Sequence, residues 1–563
     1  VSILIVVQKQ QIEAEDLIMS DLFVRKATGL VRSWSVFDAF VYALFSINLI
    51  TLGLYIISLM YALQGGLIPA LIVSAVFILF EVIVYAALIA VMPRSGGDYI
   101  WQSRVLGGGI GFVLSVTGWW FILWLWVPLY SDMLRKSVIQ PLLAVLGAKD
   151  AALWFGLPDG FFVTALITLA IVSIYIMLGM KTYARIQKIC FYGGMLGLLI
   201  VVVLLLTGTP ETFRAGLESN SAALLGTQPG VYDSTVKLGT EAGAAMPLTG
   251  GTLGAIFLTI PYLVFFNLWP NWGATLYGEV RGATDFKRNF SGMAWALGAT
   301  TLLAVVLMLA ISKTIGWDFF MQANGAFWNF TWGYTTNAPA FPIWPYPALL
   351  AVFLTSNRIV QFIVLALMGL WWFGWSGTLF LSSTRVIFAA AFDRLLPEKV
   401  AEIEPRTRTP LYALMMMVVP SIIVSYLYAY NYFSFQSLTL DSTLVISVTY
   451  LGTAIAAILL PYRKPDLYRA SPIAKYKVLG IPLITVAGII FSGFLVFLLV
   501  EWLFDPWLNG GAGLYGISLA NTSSVIYMVL MYGLAAGIYY GFKAYRKTKG
   551  IDIEKVHQEI PSE

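Results

Sequence analysis

The chain has 563 residues, 59% of them hydrophobic and only 11% charged, which lies far outside the range of soluble globular proteins and marks an integral membrane protein. Its net charge of +5 comes from basic residues scattered through short polar connections, with no continuous stripe for nucleic acid. A single cysteine, Cys190, excludes an intramolecular disulfide and a thiolate metal cluster, and the single histidine, His557, lies in a polar tail, which excludes histidine-based catalysis or a histidine metal site within the membrane.

Residues 1–32 are polar overall; the short apolar run near their start has no basic region before it and lacks the form of a secretory signal. Roughly twenty apolar residues at 1.5 Å rise cross about 30 Å of hydrocarbon. By that measure, spans are predicted at residues 36–63, 67–91, from about 110 onward, 161–178, 189–206, 250–281, 293–311, 359–381, 411–430, 444–460, 481–503 and 525–542. The expectation is therefore an all-α polytopic protein with twelve transmembrane helices. Span 3 is crowded with Trp119, Trp120, Trp124 and Trp126, which line a cavity with aromatic faces or anchor and pack the helix. A Gly, Ser and Thr-rich connection follows span 5, and a Trp and Pro-rich one follows span 7. Because Arg358 interrupts the apolar sequence before span 8, residues 348–354 read as part of a half-buried surface hairpin.

Twelve spans leave both chain ends on one side. Placing those ends in the cytoplasm assigns 27 of the 34 basic residues to cytoplasmic segments, against seven elsewhere: Arg135, Lys136, Lys149, Arg214, Lys237, Lys313 and Arg358. That bias predicts cytoplasmic termini in a cell membrane. It also places the sequons at Asn329 and Asn521 outside, where both are candidate glycan sites.

Span 6 is built to break. Pro261 and Pro270 each lack an N–H, so the carbonyls of Phe257 and Phe266 lose their helical partners, and Asn267 and Asn271 flank the second break. Unpaired backbone at membrane depth is tolerated where it faces protein or a watery cavity, which makes residues 266–271 a candidate solute site; a proline-kinked structural helix is the alternative. Residues 46–53 of span 1 carry a weaker interruption, Ser-Ile-Asn-Leu-Ile-Thr-Leu-Gly. If spans 1–5 and 6–10 are repeats, their odd number makes them inverted, with broken helices in corresponding positions.

Three stretches carry a family resemblance. Pro93-Arg94-Ser95-Gly96-Gly97-Asp98-Tyr99 is similar to the PxSGGxY loop after the second span of the amino acid, polyamine and organocation transporter superfamily. Gly278-Glu279-Val280-Arg281 resembles the segment that closes its sixth span. Ser383 to Phe388, Asp393 to Pro397 and Arg408-Thr409-Pro410 resemble its connection between spans 8 and 9. The resemblance implies a five-plus-five inverted-repeat fold with two extra C-terminal helices. Repeat 1 then covers residues 33–208, an outer loop 209–249, repeat 2 residues 250–462, the extra helices 463–543 and a cytoplasmic tail 544–563. It further implies a solute site between spans 1, 3, 6 and 8, with Asn48, Leu49, Ile50 and Thr51 at the span-1 amides and Phe265, Phe266, Asn267, Trp269 and Asn271 at span 6. Family members usually carry Gly-x-Gly in the first break; here Leu49, Ile50 and Thr51 put side chains there. Either the backbone is held open in another way, with help from Asn48, or the solute is not an ordinary α-amino acid.

Two ions compete for the coupling role, and no other cofactor is expected. Where some proton-coupled relatives place a span-5 lysine, alignment puts Gly194, leaving room for sodium near the hydroxyls of Ser376 and Thr378; those hydroxyls would otherwise bond back to their own helix. Glu81, midway along span 2 among apolar neighbours, is the proton candidate, or a protonated structural tie. The glycine run at residues 107–111 follows no strand and is not a phosphate loop. Glu279 is expected to pair with a basic loop residue, and Arg358 to snorkel. No span groups a nucleophile, base and orienting residue, so an enzyme is not expected, and no ring of charge marks a channel. The expectation is a secondary transporter of amino acids or related small amines in the bilayer. Its rivals are a non-transporting receptor or scaffold of the same fold, or a carrier of another organic cation or nucleobase-like solute.

Overall fold

A computed structural model describes residues 34–406, 409–438, 441–511 and 513–559. The N-terminal segment 1–32 and Arg408 of the third motif lie outside the described residues. Eleven helices are long and apolar enough to cross a membrane. A bent pair, Gly108–Trp124 with Trp126–Val145 at 41°, makes the twelfth. In order, spans 1–6 are Val36–Leu59, Leu67–Val91, the bent pair, Pro158–Met177, Met180–Thr207 and Leu253–Glu279. Spans 7–12 are Phe286–Thr314, Arg358–Phe392, Leu411–Ala429, Asp441–Arg463, Leu483–Leu503 and Thr522–Thr548.

Helix starts follow from capping chemistry. Ser35 and Asp38 form a reciprocal capping box at span 1, and Asp285, Asn357 and Asn521 cap spans 7, 8 and 12, each supplying an acceptor to a first-turn N–H. Burial then separates centre from rim. The most apolar stretch of span 1 is 94% buried and that of span 12 only 17%, so span 1 runs through the protein and span 12 presents most of its surface to lipid. Spans 1 and 6 both break near mid-membrane, as the inverted-repeat architecture requires.

Several expectations change. Span 8 does not end near residue 381; it continues through a second helix, Thr378–Phe392, that contains the Ser383 to Phe388 motif. The helix persists because Arg385 is neutralised inside the protein and needs no contact with water. Residues 348–354 are not a half-buried hairpin. They lie largely in the helix Pro347–Val352, all of whose residues are buried, and Arg358 instead starts the next helix at its exposed end. The long connections are also helical, with Pro210–Leu225 and Val231–Glu241 after span 5 and Trp317–Thr331 after span 7. Two-residue strands, Lys477–Val478 and Ile481–Pro482, pair antiparallel between spans 10 and 11.

Candidate functional site

The first break turns on one residue. Asn48 ends the helix Val36–Ile47 in the left-handed conformation, at φ 46°, and asparagine tolerates that region better than most residues. Its Oδ1 accepts from Thr51 N–H at 3.1 Å and its Nδ2 donates to the Trp371 carbonyl of span 8 at 3.4 Å. Leu49–Gly53 form a π-turn and the helix resumes at Leu54. Leu49, Ile50 and Thr51 are all buried. Gly53 is needed here because a Cβ would lie 2.6 Å from the Phe266 ring, so the two breaks touch through this glycine.

The second break is wider. The helix Leu253–Asn267 runs on through Pro261, whose own carbonyl accepts from Trp502 Nε1 at 3.2 Å. It ends ahead of Pro270, and the chain continues as a 3₁₀ segment, Trp272–Glu279. Asn267 turns away to span 2, where its amide and the Ser74 hydroxyl bond at 3.1–3.2 Å. The Phe265 carbonyl is taken by Trp269 Nε1 at 2.8 Å. Asn271 faces the centre: its Oδ1 accepts from Tyr450 OH of span 10 at 3.2 Å, while its Nδ2 is buried with no partner.

Around Asn271 stands a box of indoles. Trp126 stacks on Trp272 at 5.2 Å, Trp269 meets both edge-on at 5.1 and 5.4 Å, and Trp119 lies 4.5 Å from Trp272. Tyr450 adds a fifth ring, 6.4 Å from Trp269. Trp272 is fixed by donating to the Thr378 carbonyl at 3.0 Å, whereas the N–H of Trp126 is buried without a partner. The other two tryptophans of span 3 are structural, since Trp120 and Trp124 both donate to the Met416 carbonyl of span 9. Unpartnered buried donors beside several π faces can receive a solute that carries both an acceptor and a cation.

The box is closed on both sides of the membrane. On the side holding the chain ends, Glu279 pairs with Arg385 through Nε at 2.8 Å, both buried. Tyr42 OH meets Ser382 Oγ at 2.9 Å, and Ser382 donates to the Trp272 carbonyl. Trp34 bridges to Val280 and sends its indole N–H to the Met180 carbonyl. On the opposite side, Asp132 of span 3 accepts from Tyr55 OH and Lys136 Nζ, each at 2.7 Å, and from Arg135. Lys136 lies 4.2 Å from the Trp328 ring centre, and Trp328 donates to Ser58. Each closure joins broken span 1 or 6 to the scaffold around it.

The family profile described as amino acid permease matches residues 35–535. The chain belongs to that family. No curated protein matches it.

In the permease fold most of the ion candidates already have partners. The Gly194 carbonyl in span 5 already accepts from Trp371 Nε1 at 2.9 Å. Ser376 Oγ bonds back to the Phe373 carbonyl at 3.2 Å, and Thr378 Oγ1 meets Tyr130 OH at 3.2 Å. Glu81 is wholly buried in span 2 and neither of its carboxyl oxygens has a hydrogen-bond partner. Near it stands a residue that sequence reasoning quoted only as part of a motif, Asp98. Its Oδ1 accepts from Tyr85 OH at 2.6 Å and from Thr453 Oγ1 at 2.5 Å. Burial pushes the Asp98 carboxyl up to about 6, against the pull of the hydrogen bonds from Thr453 and Tyr85.

Glu279 found its expected cation, but in the span-8 helix rather than in a loop. His557 is not solvated in a polar tail. It is 5% exposed, with Nε2 3.2 Å from Tyr99 OH, beside the Arg104–Asp393 ion pair. Sequence reasoning also missed Trp272, Tyr450, Asp132 and Lys136 as site or closure residues. Trp272, two positions after Pro270, carried the one available signal.

Proposed function

We propose that this permease is a secondary transporter that moves a small amino-acid-like solute by alternating access and makes no covalent change to it. The observation that carries the reading is the cluster of indoles at the span-6 break, with the Trp126 and Asn271 N–H donors buried among them without partners. The indole faces suit an ammonium and the two donors suit a carboxylate or carbonyl oxygen. Spans 1 and 6 rock against the scaffold; breaking the Glu279–Arg385 closure opens the box to one side, and breaking the Tyr55–Asp132 closure opens it to the other.

A second reading is favoured by one observation. The Asn48 side chain already occupies the Thr51 N–H that would help to hold a carboxylate at span 1, which fits an amine or other organic cation with no carboxylate. The excess of basic residues on the side of the chain ends supports cytoplasmic termini in a cell membrane, with Asn329 and Asn521 outside and open to glycans in an organism that makes them. A proton held at Glu81 or a sodium ion would couple transport. Uptake by the purified protein in liposomes, using a labelled mixture of amino acids and amines under an imposed pH or sodium gradient, tests the proposal. Accumulation driven by one gradient is expected. Saturable binding with no flux under either gradient, by correctly inserted protein, would replace a transporter with a receptor.

A further inference from the structure

Beside the solute box lies a second buried cluster, between span 2, span 10 and the short helix Asp98–Val105. Glu81 supplies two carboxyl oxygens without a donor in reach. A carboxylate in such a site would be neither hydrated nor paired, so the neutral form with its proton is the one the site accommodates. One helical turn further along span 2, Tyr85 donates to Asp98 Oδ1, the oxygen that also receives Thr453. Asp98 Oδ2 is buried and unpartnered. The Asp98 charge acts on Glu81, and two carboxylates in one dry site resist ionising together.

The cluster is connected in two directions. Towards the solute box, the Tyr85 ring packs on Tyr450 at 5.5 Å, and Tyr450 OH donates to Asn271. Towards the chain ends, Thr453 accepts from Gln102 Nε2 at 2.8 Å. The loop that carries Asp98 is also pinned to the unwound part of span 6. Gly96 N–H donates to the Thr275 carbonyl at 2.8 Å, and Gly97, at φ 40°, lies so close that a Cβ would come 3.1 Å from the backbone of Ala274 and Thr275. Movement of the solute-binding segment must therefore move Asp98 relative to Glu81.

We propose that Glu81 and Asp98 form one proton-binding centre that holds a single exchangeable proton and is linked to the solute box through Tyr450 and Asn271. The groups facing the pair are Tyr85 from span 2, Tyr450 from span 10 and Trp119 from span 3, together with the hydroxyl of Thr453. When the proton resides on Glu81, Asp98 is the anion held by Tyr85 and Thr453; when it moves to Asp98, Glu81 bears the charge and no donor compensates it. That asymmetry makes Glu81 the resting position and makes the separation of the two carboxyls the control on release. The inference rests on the transport reading for its use, and not for its chemistry.

Infrared difference spectroscopy of the full-length protein in lipid, titrated with protons alone, follows the carbonyl stretch of each protonated carboxyl. Glu81→Gln is expected to remove one such band. Asp98→Asn is expected to keep the Glu81 band and to lower its titration midpoint by about one pH unit or more, because the like charge is gone. Thr453→Val, which takes a donor from ionised Asp98 while keeping the side-chain shape, is expected to raise the Asp98 midpoint. An unshifted Glu81 midpoint in Asp98→Asn, or an unchanged spectrum in Glu81→Gln, would overturn the shared centre. Absence of flux in liposomes would overturn the transport reading and leave these titrations as they are.

Discussion

The two helix breaks solve one problem in opposite ways. At span 1 the chain satisfies itself: Asn48 takes the left-handed turn, its own amide caps Thr51, and the helix resumes at Leu54 after the five-residue turn Leu49–Gly53. At span 6 the helix ends ahead of Pro270, and the donor that Asn271 brings to the centre is left without a partner. A self-satisfied break has little to offer a solute; an unsatisfied one is costly unless something fills it. On the proposed transport reading, the difference gives recognition to span 6 and hinge and packing duty to span 1.

That contrast can be broken most strongly at the end of span 6, where Glu279 and Arg385 tie the unwound segment to span 8. Arg385→Met should lower stability by about 3–5 kcal/mol, since it strands a buried carboxylate. Adding Glu279→Gln should recover most of that loss; a double variant no more heat-stable than the single one would show that the pair is not what anchors the segment. Next comes recognition itself. Trp269→Ala should weaken solute binding by about 2 kcal/mol, roughly 30-fold, and more than Trp502→Ala, which removes only the prop under Pro261. Equal losses in a binding titration would remove the indole box as the site.

Asn48→Ala should cost about 1 kcal/mol of stability through the lost cap and the harder left-handed turn, with solute affinity changed far less than by Trp269→Ala. A larger effect on affinity than on melting would return recognition to span 1. The smallest effect is on the pH profile. The Asp98 carboxyl sits at about 6 in the fold, above its ordinary 3.8, because it is buried. The folded protein therefore keeps a proton that the unfolded chain releases; the associated stability is present below about pH 4 and lost as the pH rises through about 6. Comparing melting across that window in the wild type and in Asp98→Asn should show the slope in the first and not in the second.

Much of this was legible in local chemistry. Pro270 and Asn48 announce their breaks because each alters the backbone hydrogen bonding or conformation at its own position, whereas the helix Leu253–Asn267 runs on through Pro261. Glu81 stood out because a carboxyl midway along an apolar helix has few alternatives. What stayed hidden depends on distant partners. Nothing near Arg385 in sequence shows that Glu279, 106 positions away, will neutralise it and let span 8 run on. Trp126 and Trp272 look like ordinary membrane tryptophans until the bend of span 3 brings the first over the second. Asn267 and Asn271 were indistinguishable by type. Four residues of a disrupted helix sent one to Ser74 and the other to Tyr450.

Site-directed labelling tests the division of labour most directly. With Cys190, the single cysteine, replaced by serine, new cysteines at Ile50 and at Asn271 can be reacted separately with a small membrane-permeant thiol reagent, with and without a solute that the liposome assay has shown to be taken up. Recognition at span 6 predicts strong protection by solute at Asn271→Cys and little at Ile50→Cys. Protection confined to Ile50→Cys, or equal at both, would contradict it.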